Sequence, residues 1–137
     1  MLTLRKDHFV EIIRHARTEI PNECCGLIGG HEHIAKSIYQ LNNVADNPRV
    51  TYEAAPEELF KAQRTMRESN EQLLAIYHSH PRAVEPRPSE TDVRLAYYPD
   101  AIYLIIALGS AEPIVKAFRI SEKERVSELV EYEITDA

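Results

Sequence analysis

The sequence predicts an α+β domain, and three observations carry that prediction. Phe9, Ile12, Ile13, Ala16 and Ile20 recur at the i, i+3, i+4, i+7 spacing of a helix with one apolar face. Residues 73–77 and 102–108 are apolar runs of strand length, and residues 114–118, apolar but for Lys116, make a third segment of that length. The helical and strand-like segments alternate along the chain, and the strands come partly in hairpin-like pairs bounded by turn residues.

Taken in order, residues 7–19 form an amphipathic helix stopped by Pro21, with His8 and His15 expected on or near its wet side. Residues 24–28 read as a strand, Gly29-Gly30 as a turn and residues 34–41 as the returning strand. Residues 42–48 have loop composition, and residues 50–53 resume an extended segment. Pro56 at a first helical position, Glu57 and Glu58 in the first turn, and Arg64 and Arg67 near the end predict a helix over 56–69. Leu59, Ala62 and Met66 give it an apolar face. Strand 73–77 leads into His78, and a short helix begins at residues 89–92 and is closed by Pro99. Strands 102–108 and 114–118 follow around a Gly109 to Pro113 turn, and residues 126–134, which alternate weakly and are open to a strand or a helix, read better as a final strand.

The 137 residues make one domain, 1–137, with apolar residues at 44% and charged residues at 28%, a globular rather than a disordered mixture. A formal charge of −6 argues against broad nucleic-acid binding and favours a protein or small-molecule partner. The first residues lack the apolar core of a signal peptide, and the longest apolar run, 101–108, is too short to span a bilayer. The expectation is a cytoplasmic protein without a membrane partner. Adjacent Cys24 and Cys25 are poorly placed for an ordinary disulfide and are expected to be buried and reduced.

The chemistry concentrates in Tyr77-His78-Ser79-His80-Pro81 and Pro88-Ser89-Glu90-Thr91-Asp92. Residues i and i+2 of a strand share a face, so His78 and His80 aim two imidazoles at one point. Asp92, in the first turn of the short helix, can add a third ligand. Two His and one carboxylate make the three-ligand set of a catalytic zinc, which keeps a position open for water and lowers its pKa toward about 7. Such a site still needs a general base.

These residues resemble the JAMM metallopeptidases, the catalytically competent MPN domains, and especially their compact prokaryotic members similar to Mec-type peptidases. That family's pattern is an early Glu, then H-x-H, seven residues, Ser, two residues and Asp. The resemblance runs across nearly the whole chain and implies a mixed, curved central sheet of the MPN, cytidine-deaminase-like kind. It implies one zinc per chain held by His78, His80 and Asp92, with Ser89 steadying the oxyanion and, as general base, Glu23, which the chain order already places at a strand edge where its side chain can reach a site. It further implies hydrolysis of an amide bond at the C-terminal tail of a ubiquitin-like or sulfur-carrier protein. One departure stands out: eight residues, 81–88, separate His80 from Ser89, which puts the loop's shape in question rather than the ligands.

Competing readings are weaker. Ser89 with Asp92 also matches a helix-capping S-x-x-[DE] box, and Ser89 can serve as both cap and oxyanion donor. His31-Glu32-His33 has no S-x-x-D at similar distance and reads as an exposed turn. Cys25 as a nucleophile is disfavoured by the apolar residues after it. Tyr77, Tyr97, Tyr98 and Tyr103 read as core or pocket-lining aromatics. A small-molecule zinc hydrolase remains an alternative, although the H-x-E and P-C-x-x-C of deaminases are missing. A non-catalytic MPN scaffold is the other, although such relatives have usually lost ligands that this chain retains.

Overall fold

A computed structural model describes residues 1–136. In chain order it contains β1 (Leu2–Arg5), α1 (Lys6–Thr18), β2 (Cys25–His31), β3 (Ile34–Leu41), α2 (Pro56–Glu68), β4 (Gln72–His80), α3 (Glu90–Arg94), β5 (Ile102–Ala107), β6 (Ile114–Ser121), β7 (Val126–Val130) and β8 (Tyr132–Thr135). The strands form one sheet ordered β7, β6, β5, β4, β2, β3, β1, β8. The pairs β4 with β5, β1 with β3 and β1 with β8 are parallel and the others antiparallel, so the sheet is mixed. Strands β7 and β8 stand at opposite ends of this order, yet only Glu131 separates them in the chain. Because consecutive Cα atoms are about 3.8 Å apart, the sheet has to curl until its ends approach. The expected α+β architecture with a curved, mixed sheet is the one found.

Each face of the sheet has its own helix and core. Leu4, Ile12, Ala16, Ile28, Tyr77 and Leu104 pack on the α1 side, and Leu27, Ala62, Met66, Ile76, Tyr103 and Ile105 on the α2 side. Every residue of β5 is buried, which explains its unbroken apolar sequence: a strand covered on both faces shows no polar alternation. In β4, strand parity puts His78 and His80 on the same face as Ile76, toward α2.

Several expectations need correction. The Gly29-Gly30 pair lies inside β2, at a register shift, and the turn is made by Glu32 and His33 at φ 51° and 68°. Gly30 is needed for close approach instead: a Cβ there would sit 2.1 Å from the Ile34 carbonyl oxygen. His8 and His15 are buried, not on the wet side of α1. Their i, i+4, i+7 spacing with Ile12 places all three on one face. Ile20 is 50% exposed because α1 stops at Thr18. Residues 50–53 form no strand; an Asn43 to Ala54 bridge closes that loop. The short helix ends at Arg94, so Pro99 is not its terminator. Segment 126–134 divides into β7 and β8, and β1, whose buried Leu2 and Leu4 flank half-buried Thr3, is an additional strand.

Candidate active site

The site is assembled where β2 and β4 run side by side. Cys25 pairs with His78 in an antiparallel register, and the Ser79 N–H donates to the Cys24 carbonyl at 3.3 Å. Extending that register brings Glu23 level with His80. Ser79 strengthens the junction, since its Oγ accepts the Cys24 N–H at 2.8 Å. Glu23 is 4% exposed, and its Oε1 has no hydrogen-bond partner among the described residues.

His78 Nε2 and His80 Nε2 lie 3.2 Å apart, and Asp92 Oδ2 is 3.1 Å from the first and 3.0 Å from the second. One donor atom from each of Glu23, His78 and His80 also lies within 4.8 Å of the other two. Tetrahedral ligands bound to zinc at about 2.0–2.1 Å stand about 3.3 Å from one another, close to the triangle observed. With at most one proton on each Nε2, two of these three close contacts can be hydrogen bonds and the third cannot, whereas one shared cation accounts for all three. The donor types and spacing of His78, His80 and Asp92 fit zinc, which these three residues would hold.

Charge and burial act against each other here. Burial pushes the Asp92 carboxyl up, but the charge and hydrogen bond of His78, the bond to His80 and the Ser89 N–H together hold it well below the ordinary carboxylate range. Burial pulls His80 down, and Asp92 and Glu23 more than reverse that. Glu23 lacks such compensation: burial pushes its carboxyl up to about 8, with His80 opposing and Asp92 adding to the rise.

Ser89 caps α3, its Oγ accepting the Asp92 N–H at 3.0 Å while Asp92 Oδ2 accepts the Ser89 N–H at 2.8 Å. The capping box thereby orients Asp92. The 81–88 loop is tied down at several points. The Ala83 N–H donates to the His80 carbonyl at 3.2 Å, the Gly109 N–H to the Ala83 carbonyl at 2.7 Å, and Lys116 pairs with Glu85. A Cβ on Gly109 would stand 2.6 Å from the carbonyl oxygens of Arg82 and Ala83, so the close approach requires glycine. The additional loop residue is absorbed without displacing Ser89 or Asp92 from the capping geometry.

The structure thus brings Glu23, His78, His80 and Asp92 together and places Ser89 on the adjoining helix cap. His31, at the exposed end of β2, and His33, in the exposed turn after it, gather no group of three His, Cys, Asp or Glu ligands among the described residues. Burial pushes the thiols of Cys24 and Cys25 up to about 12, so neither is a nucleophile at neutral pH. Tyr77 and Tyr103 are core residues, and Tyr97, Tyr98 and Tyr103 line a groove beside Asp92. Sequence reasoning passed over Tyr52, whose ring stacks on His78 with centroids 4.6 Å apart and planes at 30°. Only its aromatic character in a polar loop could have signalled it.

A family described as prokaryotic homologs of the JAB domain matches residues 5–121. The chain belongs to this JAB/MPN family of peptidases. The JAB/MPN chain is 34% identical over 110 residues to a desampylase of Haloferax volcanii, covering 76% of this chain and 78% of that one. It is 36% identical over 110 residues to the CysO-cysteine peptidase of Mycobacterium tuberculosis, covering 78% and 73%. The solution structure of protein DSY2949 from Desulfitobacterium hafniense superposes with a TM-score of 0.87 at 35% identity, covering 100% of this chain and 94% of that one. No helix among the described residues is long and apolar enough to cross a membrane.

Proposed function

We propose that this JAB/MPN peptidase is a zinc enzyme of the cytoplasm that hydrolyses the amide bond at the C-terminal tail of a ubiquitin-like or sulfur-carrier protein. The observation that carries the reading is the convergence of His78, His80 and Asp92 at 3.0–3.2 Å beside the buried Oε1 of Glu23, which has no hydrogen-bond partner among the described residues. The relatives' names, a desampylase and a peptidase acting on CysO-cysteine, support the substrate class.

One zinc per chain, held by His78, His80 and Asp92, would supply Lewis-acid polarisation of the scissile carbonyl and a more acidic water. Glu23 takes a proton from the attacking water as its oxygen bonds to the carbonyl carbon. It delivers that proton to the amine nitrogen as the carbon–nitrogen bond breaks. A carboxyl with raised proton affinity suits both halves of this relay, because it can accept and release a proton near neutral pH. The Ser89 hydroxyl, which uses an oxygen lone pair to cap Asp92, keeps its own hydrogen to donate to the carbonyl oxygen as negative charge develops there. A groove of about 340 Å³, lined in part by Leu59, Asp92, Leu95, Tyr98 and Tyr103, adjoins Tyr52 and can receive an extended tail.

The test is incubation of purified protein with a ubiquitin-like protein whose terminal glycine is joined through an amide to cysteine or to a second protein, followed by mass spectrometry. Release of the intact tail with a free carboxylate is expected. Failure to cleave either conjugate, with hydrolysis of small-molecule amides instead, would overturn the substrate assignment.

A further inference from the structure

Glu23 is held in place through its backbone. Its Oε1 has no partner among the described residues, and it precedes β2, whose ladder begins at Cys25. The Glu23 N–H donates to the Pro48 carbonyl at 2.8 Å, and the Glu23 carbonyl accepts from Asn43 Nδ2 at 3.0 Å. Both anchors belong to the loop between β3 and α2. Asn43 Nδ2 also reaches the carbonyls of Pro48 at 3.3 Å and Thr51 at 3.0 Å. Asn43 Oδ1 accepts the N–H groups of Ala45 at 3.0 Å and Glu53 at 3.1 Å. Thr51 and Glu53 bracket Tyr52, the residue stacked on His78.

A carboxamide offers two N–H donors and one oxygen with two lone pairs. In Asn43 all of that capacity is committed: three carbonyls converge on the nitrogen and two N–H groups on the oxygen. One side chain therefore joins the backbone that carries Glu23 to the backbone that carries Tyr52.

We propose that Asn43 is a positioning residue for the reaction, its carboxamide locking the 43–53 loop against Glu23 and so setting where Glu23 and Tyr52 stand relative to His78 and His80. The catalytic consequence rests on the peptidase reading above; the lock itself does not. A misplacement of about 1 Å in a reacting group costs on the order of a hundredfold in rate, which sets the size of the effect. The competing role is a purely local one, an Asx turn made by Oδ1 and the Ala45 N–H, which Asp supports as well as Asn.

Asn43→Asp separates the two. It keeps acceptor oxygens for Ala45 and Glu53 but removes the NH₂ and sets a carboxylate against three carbonyls. Asn43→Ser is the neutral companion, retaining a short acceptor that cannot span to Glu23, for use should the charged variant fold poorly. The zinc-loaded protein is compared with both variants for turnover of the conjugate, metal content and residue-resolved amide hydrogen exchange. Expected is a kcat about a hundredfold lower with KM changed less than about threefold, one zinc per chain retained, and faster exchange at the Glu23 amide while β2 stays protected. Near-normal kcat in either folded variant, or unchanged exchange at Glu23, would overturn the proposal. If the unaltered protein itself fails to cleave, the peptidase reading falls, and exchange at Glu23 alone decides whether the lock exists.

Discussion

Replacing Glu23 with Gln should move stability and activity in opposite directions. In the metal-free chain, burial raises the Glu23 carboxyl from 4.5 to about 8. A group that holds its proton more tightly when folded stabilises the fold below its unfolded pKa. That contribution is lost as pH rises from about 4.5 through about 8. At about 1.4 kcal/mol per pH unit the whole interval gives a ceiling of about 5 kcal/mol. Water entry and relaxation around the buried ion bring this to on the order of 2–3 kcal/mol. Gln does not titrate, so chelated Glu23→Gln should be more stable than the chelated parent at about pH 8.5 by that amount, worth about 5–10 °C in Tm for a domain of this size. Near pH 4 the advantage should vanish. Thermal melts of both proteins across this range, in chelator, measure the difference directly. Parallel stability curves would refute the argument that Glu23 is buried without compensation. With zinc restored, the same substitution should lower turnover by about 10²–10⁴ while conjugate affinity changes little.

Ser89→Ala should cost about 1 kcal/mol through loss of the α3 cap and, separately, about 10²-fold in kcat through loss of the oxyanion donor; kinetics on zinc-loaded protein distinguish this from a stability loss alone, which would leave kcat intact. Tyr77→Phe deletes the hydroxyl that meets His15 Nδ1 at 2.7 Å in the core. Stripping that buried ring nitrogen of its partner should destabilise the fold by about 1–3 kcal/mol in denaturant titration, with one zinc per chain retained.

Much of the fold and nearly all of the proposed site were legible in the sequence because they rest on short-range rules. His78 and His80 share a face through the two-residue repeat of β4, and the cap that orients Asp92 is written in Ser89-x-x-Asp92. Glu23 was different: its place beside His80 depends on the β2 to β4 register, which only the family resemblance anticipated. The readings that failed turned on tertiary context. Gly29 and Gly30 look like turn residues, but their missing Cβ atoms serve close packing within a strand. His15 looks like a surface histidine until Tyr77 supplies its buried partner, and Gly26 in turn leaves room for the Tyr77 ring, since a Cβ there would lie 2.3 Å from it. The convergence of Asn43 on Glu23, Pro48 and Thr51 spans up to twenty residues of chain and has no local signature.

The central claim is that one metal ion, held by His78, His80 and Asp92 and served by Glu23, performs the hydrolysis. It is tested most directly by titrating zinc into the chelated protein and following metal content and conjugate cleavage together. Activity should rise from nothing and saturate at one zinc per chain, whereas Glu23→Gln should bind the same single zinc and stay about 10²–10⁴-fold slower. Cleavage by the metal-free protein, or a Glu23→Gln variant that regains full turnover with zinc, would contradict the account.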